Sequence, residues 1–203
     1  MVTNMTYIYL VRHGNTFKKD EVPRRVGSRT NIPLVESGFA QADALGIYFA
    51  NNKINFSKAY SSPLLRAQQT TQQILQHQPD KIEIQSLDLL NEIDHGPDEN
   101  KIESEVEARI GKEAIQQWDN NAIVPEGWIV NYEQRIIGWQ SFIKEHEMCG
   151  NLLMVTSNGA ARFLLKAFQL KDTQQNLKLR TGAYGCLTLT NGELALKGWD
   201  IRP

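Results

Sequence analysis

Cysteine is scarce: Cys149 and Cys186 are the two in 203 residues, in unrelated contexts. That excludes a disulfide framework and a cysteine-based metal site, and two free thiols in a reducing compartment are expected. Net charge is also nearly absent, at −1 with histidine neutral. No global field then favours nucleic acid or an anionic membrane, so neither is expected as a partner. No apolar run approaches the roughly 20 residues that a membrane helix needs. The first residues lack a basic stretch followed by a long apolar core, so no secretory leader is expected and a cytoplasmic protein is the default. Repeats and a composition break that would divide the chain are missing too. The expectation is one domain over residues 1–203, with enough length for a sizeable α/β core.

What is present begins with Tyr7-Ile8-Tyr9-Leu10-Val11, an apolar run that stops at Arg12-His13-Gly14-Asn15-Thr16. A short run bounded by a turn signal reads as a buried strand. Its polar end lies where a strand leaves a sheet, which is where open α/β sheets bind ligands. Arg12 offers a forked cationic donor suited to phosphate. His13 offers a nitrogen nucleophile near neutral pH. Phe17 to Pro33 is a long polar loop carrying Lys18, Lys19, Arg24, Arg25 and Arg29. Loops of this length are usually functional or mobile.

Ser37 opens an expected helix to about Asn51, with Phe39, Ala42, Leu45 and Phe49 as its apolar stripe. Lys58 to Ser61 reads as a second strand. Ser62 suits an N-cap and Pro63 the first helical position of a helix running to about Gln76. Arg66 then falls in the first turn, beside free backbone N–H groups, where anions bind. Ile82 to Leu87 reads as a third strand, and Leu90 to Glu99 as an acidic loop. That loop offers Glu92 as a proton donor. Its weaker reading is a metal site of Glu92, Asp94, His95 and Asp98, whose spacing is not distinctive. Ile102, Val106, Ile110, Ala114 and Trp118 mark a helix with one buried face. Ile136, Trp139 and Ile143 mark another over about Glu133 to Glu147, weakened by Gly138. His77 and His146 fall on helical faces and are expected at the surface.

Asn151 to Thr156 is a strong apolar strand that stops at Ser157-Asn158-Gly159 before a helix from Ala160 to Phe168. Ser157 or Asn158 could cap it. Gly185 to Thr190 and Glu193 to Trp199, joined by Asn191-Gly192, read as a hairpin. Alternating strands and helices predict an α/β three-layer αβα sandwich around a mainly parallel central sheet.

Taken in order, these pieces resemble the histidine phosphatase superfamily, the phosphoglycerate mutase-like proteins. Leu10-Val11-Arg12-His13-Gly14 with Thr16 is similar to the family's signature. Gly27, Pro33-Leu34, Gly38 and Gln41-Ala42 resemble the segment that follows it, with Asn31 where an aspartate is usual. Ser61 to Thr70 resembles the second arginine block, and Leu90 to Asp94 with Gly96 the general-acid loop. One block departs. After the late strand the family usually has Ser-His-Gly, and here Ser157 aligns with that histidine, while Arg162 keeps the later arginine.

The resemblance implies a phosphoglycerate mutase-like fold and a phosphomonoesterase working through a phosphohistidine on His13. Arg12 and Arg66 would hold phosphoryl oxygens, with Asn15, Thr16, Ser157 and Asn158 as further phosphate ligands. Glu92 would protonate the leaving oxygen and then activate water. Catalysis of this kind is mostly positioning and electrostatics, and no metal or cofactor is implied. A serine supplies a neutral donor but no charge, and losing one preorganised donor costs roughly 10²–10³ in rate. Slow hydrolysis of a small phosphorylated metabolite is therefore the leading expectation, with His95 a candidate substitute for the histidine. A phospholigand-binding protein without turnover is the alternative. A mutase is disfavoured, since Phe17-Lys18 stands where mutases of this family carry tryptophan-asparagine. Monomer and homodimer are equally compatible with the sequence.

Overall fold

The structure, a computed structural model, describes residues 5–170 and 177–203. A six-stranded sheet runs through it in the order β3-β2-β4-β1-β5-β6. The strands are β1 (Thr6–Arg12), β2 (Lys58–Ser61), β3 (Ile84–Ser86), β4 (Asn151–Thr156), β5 (Tyr184–Thr190) and β6 (Glu193–Ile201). The three pairings among β1 to β4 are parallel; β5 pairs antiparallel with both β1 and β6. Asn191 and Gly192 both take positive φ, 51° and 78°, as a tight hairpin turn requires.

Side-chain alternation along the strands builds two cores. Ile8, Leu10, Leu152 and Met154 face one side of the sheet; Tyr9, Val11, Leu153 and Val155 face the other. The second side is covered by α1 (Glu36–Asn51) and α2 (Leu65–Leu75). The first is covered by α3 (Glu103–Asn121), α4 (Tyr132–Glu145) and α5 (Asn158–Ala167). Strands buried on both faces and helices on both sides make the αβα sandwich.

Several sequence expectations shift. Phe39 is exposed; α1 buries Gly38, Ala42, Leu45, Gly46 and Phe49 instead. α2 starts two residues later than Ser62 and Pro63 suggest, at Leu65. The Ser62 N–H still pairs with the Val155 carbonyl at 2.9 Å, so the chain remains sheet-like there. The Leu65 N–H is instead taken by Asn31 Oδ1 at 2.7 Å. Gly111, at φ 80° and ψ 154°, interrupts α3, which moves the buried register from Ala114 to Ile115. Gly138 sits inside α4, where an added Cβ would meet the Leu89 side chain at 2.9 Å. Neither Ser157 nor Asn158 caps α5 with its side chain: Asn158 is already helical, and its Oδ1 accepts from the Leu179 N–H at 2.8 Å. His146 is buried, not superficial. Its ring stacks on Phe142 and its nitrogens meet the Tyr60 hydroxyl and the Phe142 carbonyl, each at 2.7 Å. His77 remains half-exposed against Asp43.

Among the described residues no helix is long and apolar enough to cross a membrane.

Candidate active site

The parallel register fixes the site before any side chain is considered. Arg12 on β1 lies opposite Thr156 on β4, and the His13 N–H bonds the Thr156 carbonyl at 3.0 Å. His13 and Ser157 therefore leave the sheet side by side. On the other flank of β4, Ser61 lies opposite Val155, and the chain passes from there into α2 and Arg66. Three strands thus deliver their polar ends to one edge, the position where α/β sheets bind ligands.

A cavity of about 650 Å³ opens there. Its lining includes Arg12, His13, Asn15, Thr16, Glu92, His95, Asn158 and Gly159. Arg66 and Ser157 do not line it; both are buried, at 0% and 1% exposure.

His13 is buried, and its hydrogen bonds define its tautomer. The Arg66 Nε–H, which can only donate, points at His13 Nε2 at 3.1 Å. Nε2 must therefore carry the lone pair. The ring proton sits on Nδ1 and is donated to the Gly14 carbonyl at 2.8 Å. Burial, then the charges of Arg66 and Arg12, push the His13 pKa well below 6.5, against a small rise from the Gly14 bond. A neutral imidazole with Nε2 free of hydrogen is the form a nucleophile needs.

Arg66 is held by its remaining donors to the carbonyls of Thr30, at 2.8 Å, and of Val26 and Gly27 at 3.3 and 3.2 Å. Burial lowers its pKa, while Glu92 and Glu99 act in the opposite direction. Arg12 donates from Nη1 to the Leu179 carbonyl at 2.8 Å, and its buried Nε has no partner among the described residues. Burial lowers Arg12 to about 10 despite the attraction of Glu92. Two desolvated guanidiniums beside a neutral imidazole form a pocket that an oxyanion would stabilise. The Ser157 Oγ is also buried without a partner among the described residues. Buried donors left unpaired are costly, and a bound anion would satisfy both.

Glu92 accepts from the Ile93 N–H at 2.9 Å and from the Gly159 N–H, in the first turn of α5, at 3.1 Å. Its carboxylate is thereby turned to the same cavity as His13. Asn15 is committed to the protein: its amide donates to Ser37 at 3.3 Å and accepts from the Thr181 hydroxyl at 2.6 Å. Thr16 lines the cavity.

The acidic loop does not assemble a metal site. Asp98 is bound by Arg109 and by the Trp128 Nε1–H at 2.7 Å, Asp94 by Arg29 at 2.9 Å, and Glu92 by backbone N–H groups. Among the described residues no group of three or more His, Cys, Asp or Glu side chains could hold a metal ion. His95 packs edge-on against Trp128, with Nδ1 3.6 Å from Glu99 Oε2.

Sequence reading missed two residues that brace this site. Glu99 accepts from the Gly27 N–H at 2.8 Å, the Thr30 hydroxyl at 2.7 Å and the His95 N–H at 3.1 Å. It thus fixes the loop whose carbonyls hold Arg66. Thr70, on α2, accepts from the Gly14 N–H at 3.1 Å. Both look like ordinary polar surface in the sequence, and only their partners reveal them.

With this geometry in view, comparison with known proteins is direct. Residues 8–202 match the family model of the histidine phosphatase superfamily, branch 1, and the chain belongs to that superfamily. Its relatives are named as enzymes of phosphoryl transfer. A 2,3-bisphosphoglycerate-dependent phosphoglycerate mutase 2 from Gloeobacter violaceus is 36% identical over 118 residues, 56% of this chain and 51% of that protein. The chain spans about half the length of the first curated relatives it matches. In fold, it is similar to a phosphoglycerate mutase from Bacillus anthracis, with a TM-score of 0.80, 20% identity and coverage of 98% and 94%. It is also similar to a putative α-ribazole-5′-P phosphatase from Escherichia coli, with a TM-score of 0.75, 20% identity and coverage of 97% of both chains.

Proposed function

We propose that the protein is a phosphomonoesterase that hydrolyses a small phosphorylated metabolite through a phosphohistidine, with slow turnover. The observation that carries this reading is the His13 tautomer, with Nδ1–H on the Gly14 carbonyl and the lone pair on Nε2, where it accepts from the Arg66 Nε–H. In the first step Nε2 forms a bond to phosphorus as the ester P–O bond breaks, and Glu92 gives its proton to the departing oxygen. In the second, Glu92 takes a proton from water, whose oxygen displaces His13 and releases phosphate. Arg12, Arg66 and Ser157 hold the phosphoryl oxygens, with Asn158 and Thr16 at the cavity wall. Ser157 contributes no charge, which is why turnover is slow.

The leaving group carries a second acidic function in this reading. Lys18, Lys19 and Arg24 line the cavity, and among the described residues none has a carboxylate within ion-pair distance. Arg25, by contrast, is paired with Glu103 at 2.7 Å.

Phosphate release from an aryl phosphate across pH tests the proposal, on the native chain and His13→Ala. Release that disappears in His13→Ala supports it. Absence of release from any phosphomonoester panel, with phosphate binding intact, would replace it with the second reading, a phospholigand-binding protein, which the serine at 157 favours.

A further inference from the structure

Arg135 stands on α4 and does not line the cavity. Its guanidinium directs its donors at three backbone carbonyls. Nε donates to Val130 at 2.9 Å, Nη1 to Asn91 at 2.9 Å and Nη2 to Glu92 at 3.3 Å. The group also sits over the Phe163 ring, 5.6 Å from its centroid. Burial lowers its pKa, and the Glu92 charge acts the other way. A half-buried cation with no salt bridge among the described residues is costly, and an apolar side chain of similar volume would fill the same space more cheaply. What the apolar side chain could not do is tie α4 to the Asn91–Glu92 backbone.

That tie matters because of how Glu92 is held. Its carboxylate meets two N–H groups at its far end, from Ile93 and Gly159. The near end, the main chain from which the side chain grows, is fixed by Arg135. Proton transfer requires the donor within hydrogen-bond reach of its target, about 2.6–3.2 Å, and held there to about 0.5 Å. We infer that Arg135 is a positioning residue that holds Glu92 in register with the leaving oxygen. The inference rests on Glu92 acting as the proton donor.

The test compares kcat/KM for two esters, 4-nitrophenyl phosphate and a simple alkyl phosphate. The aryl oxygen departs without protonation; the alkyl oxygen needs it. General acid catalysis is worth roughly 10²–10⁴-fold, so misplacing the acid in Arg135→Met raises the aryl-to-alkyl ratio about tenfold. Arg135→Lys, which keeps the charge but makes fewer bonds, raises it less and serves if the methionine variant does not fold. Glu92→Gln raises the ratio further, and adding Arg135→Met to it changes the ratio no more. An unchanged ratio in both Arg135 variants, with equal losses on the two esters, overturns the inference while leaving Glu92's role intact. An unchanged ratio in Glu92→Gln overturns the proton-donor reading and the inference with it.

Discussion

The Arg66 Nε–H lies 3.1 Å from His13 Nε2 and occupies the lone pair that would attack phosphorus. The same contact orients the imidazole and helps keep it neutral, since the Arg66 charge is second only to burial in depressing the His13 pKa. A phosphoryl group entering the pocket would draw Arg66 to its oxygens and free Nε2. Replacing Arg66 with methionine should therefore do two separable things. Affinity for inorganic phosphate falls, and turnover drops by about 10²-fold or more, as removal of one preorganised donor does. The acid limb of the pH–rate profile also moves to higher pH, because His13 loses one of the charges that keep it unprotonated. A profile that keeps its acid limb in Arg66→Met would show that another group controls it.

The buried, uncharged His13 also shapes stability. Below about pH 6.5 the unfolded chain binds a proton at this histidine, while the native state, with its lowered pKa, does not. The unfolded state then carries more protons, so stability falls as pH decreases from 6.5 toward the native pKa. The slope is at most about 1.4 kcal/mol per pH unit from this one group. His13→Asn removes it. Denaturant midpoints measured at pH 7 and pH 5 should differ less in the variant than in the native chain. An equal difference would place the acid sensitivity elsewhere.

Ser157 emerges from β4 beside His13 with a buried hydroxyl that has no partner among the described residues. Ser157→His would add a cationic donor at that point and is expected to raise kcat by roughly 10–10³-fold if the missing charge limits the rate. Ser157→Ala should fold normally, because it removes an unsatisfied group, and should weaken phosphate binding modestly. A Ser157→His variant that folds but gains no rate would mean that the pocket's charge is already sufficient.

Much of this site is readable in the chain because its pieces are local. Arg12-His13-Gly14 ends an apolar run and Arg66 opens a helix, and both follow from spacing and turn chemistry. The α/β class follows from the alternation of runs such as Tyr7–Val11 and Asn151–Thr156 with helical stripes. What is not readable depends on distant partners. Asn31, 34 residues before Leu65, accepts from the Leu65 N–H at the start of α2, where the sequence suggests a Ser62 cap, because the strand pairing of Ser62 continues past β2. Arg135 reaches Asn91 across 44 positions, and Glu99 reaches Gly27 across 72. Gly111, inside the helix expected from Ile102 to Trp118, leaves helical φ/ψ and shifts the buried face of α3. Propensity and periodicity report on neighbours in sequence, and these features are decided by neighbours in space.

Two glycines in the site separate folding from chemistry. A Cβ on Gly14 would lie 2.3 Å from the Gly38 carbonyl oxygen and 2.8 Å from its Cα, all backbone. Neither partner can yield, because Gly38 is in the first turn of α1 and Gly14 follows β1. A Cβ on Gly159 would lie 2.3 Å from Glu92 Oε1, the far end of a side chain that can rotate away. Gly14→Ala should therefore lower the melting temperature sharply, with activity lost through unfolding. Gly159→Ala should melt close to the native chain yet lose turnover, most on esters whose leaving oxygen needs a proton, because the clash is relieved by displacing the carboxylate. Thermal unfolding and kcat/KM measured on both variants decide it. A Gly159→Ala protein with native activity would show that the Glu92 carboxylate does not work from the position it holds here.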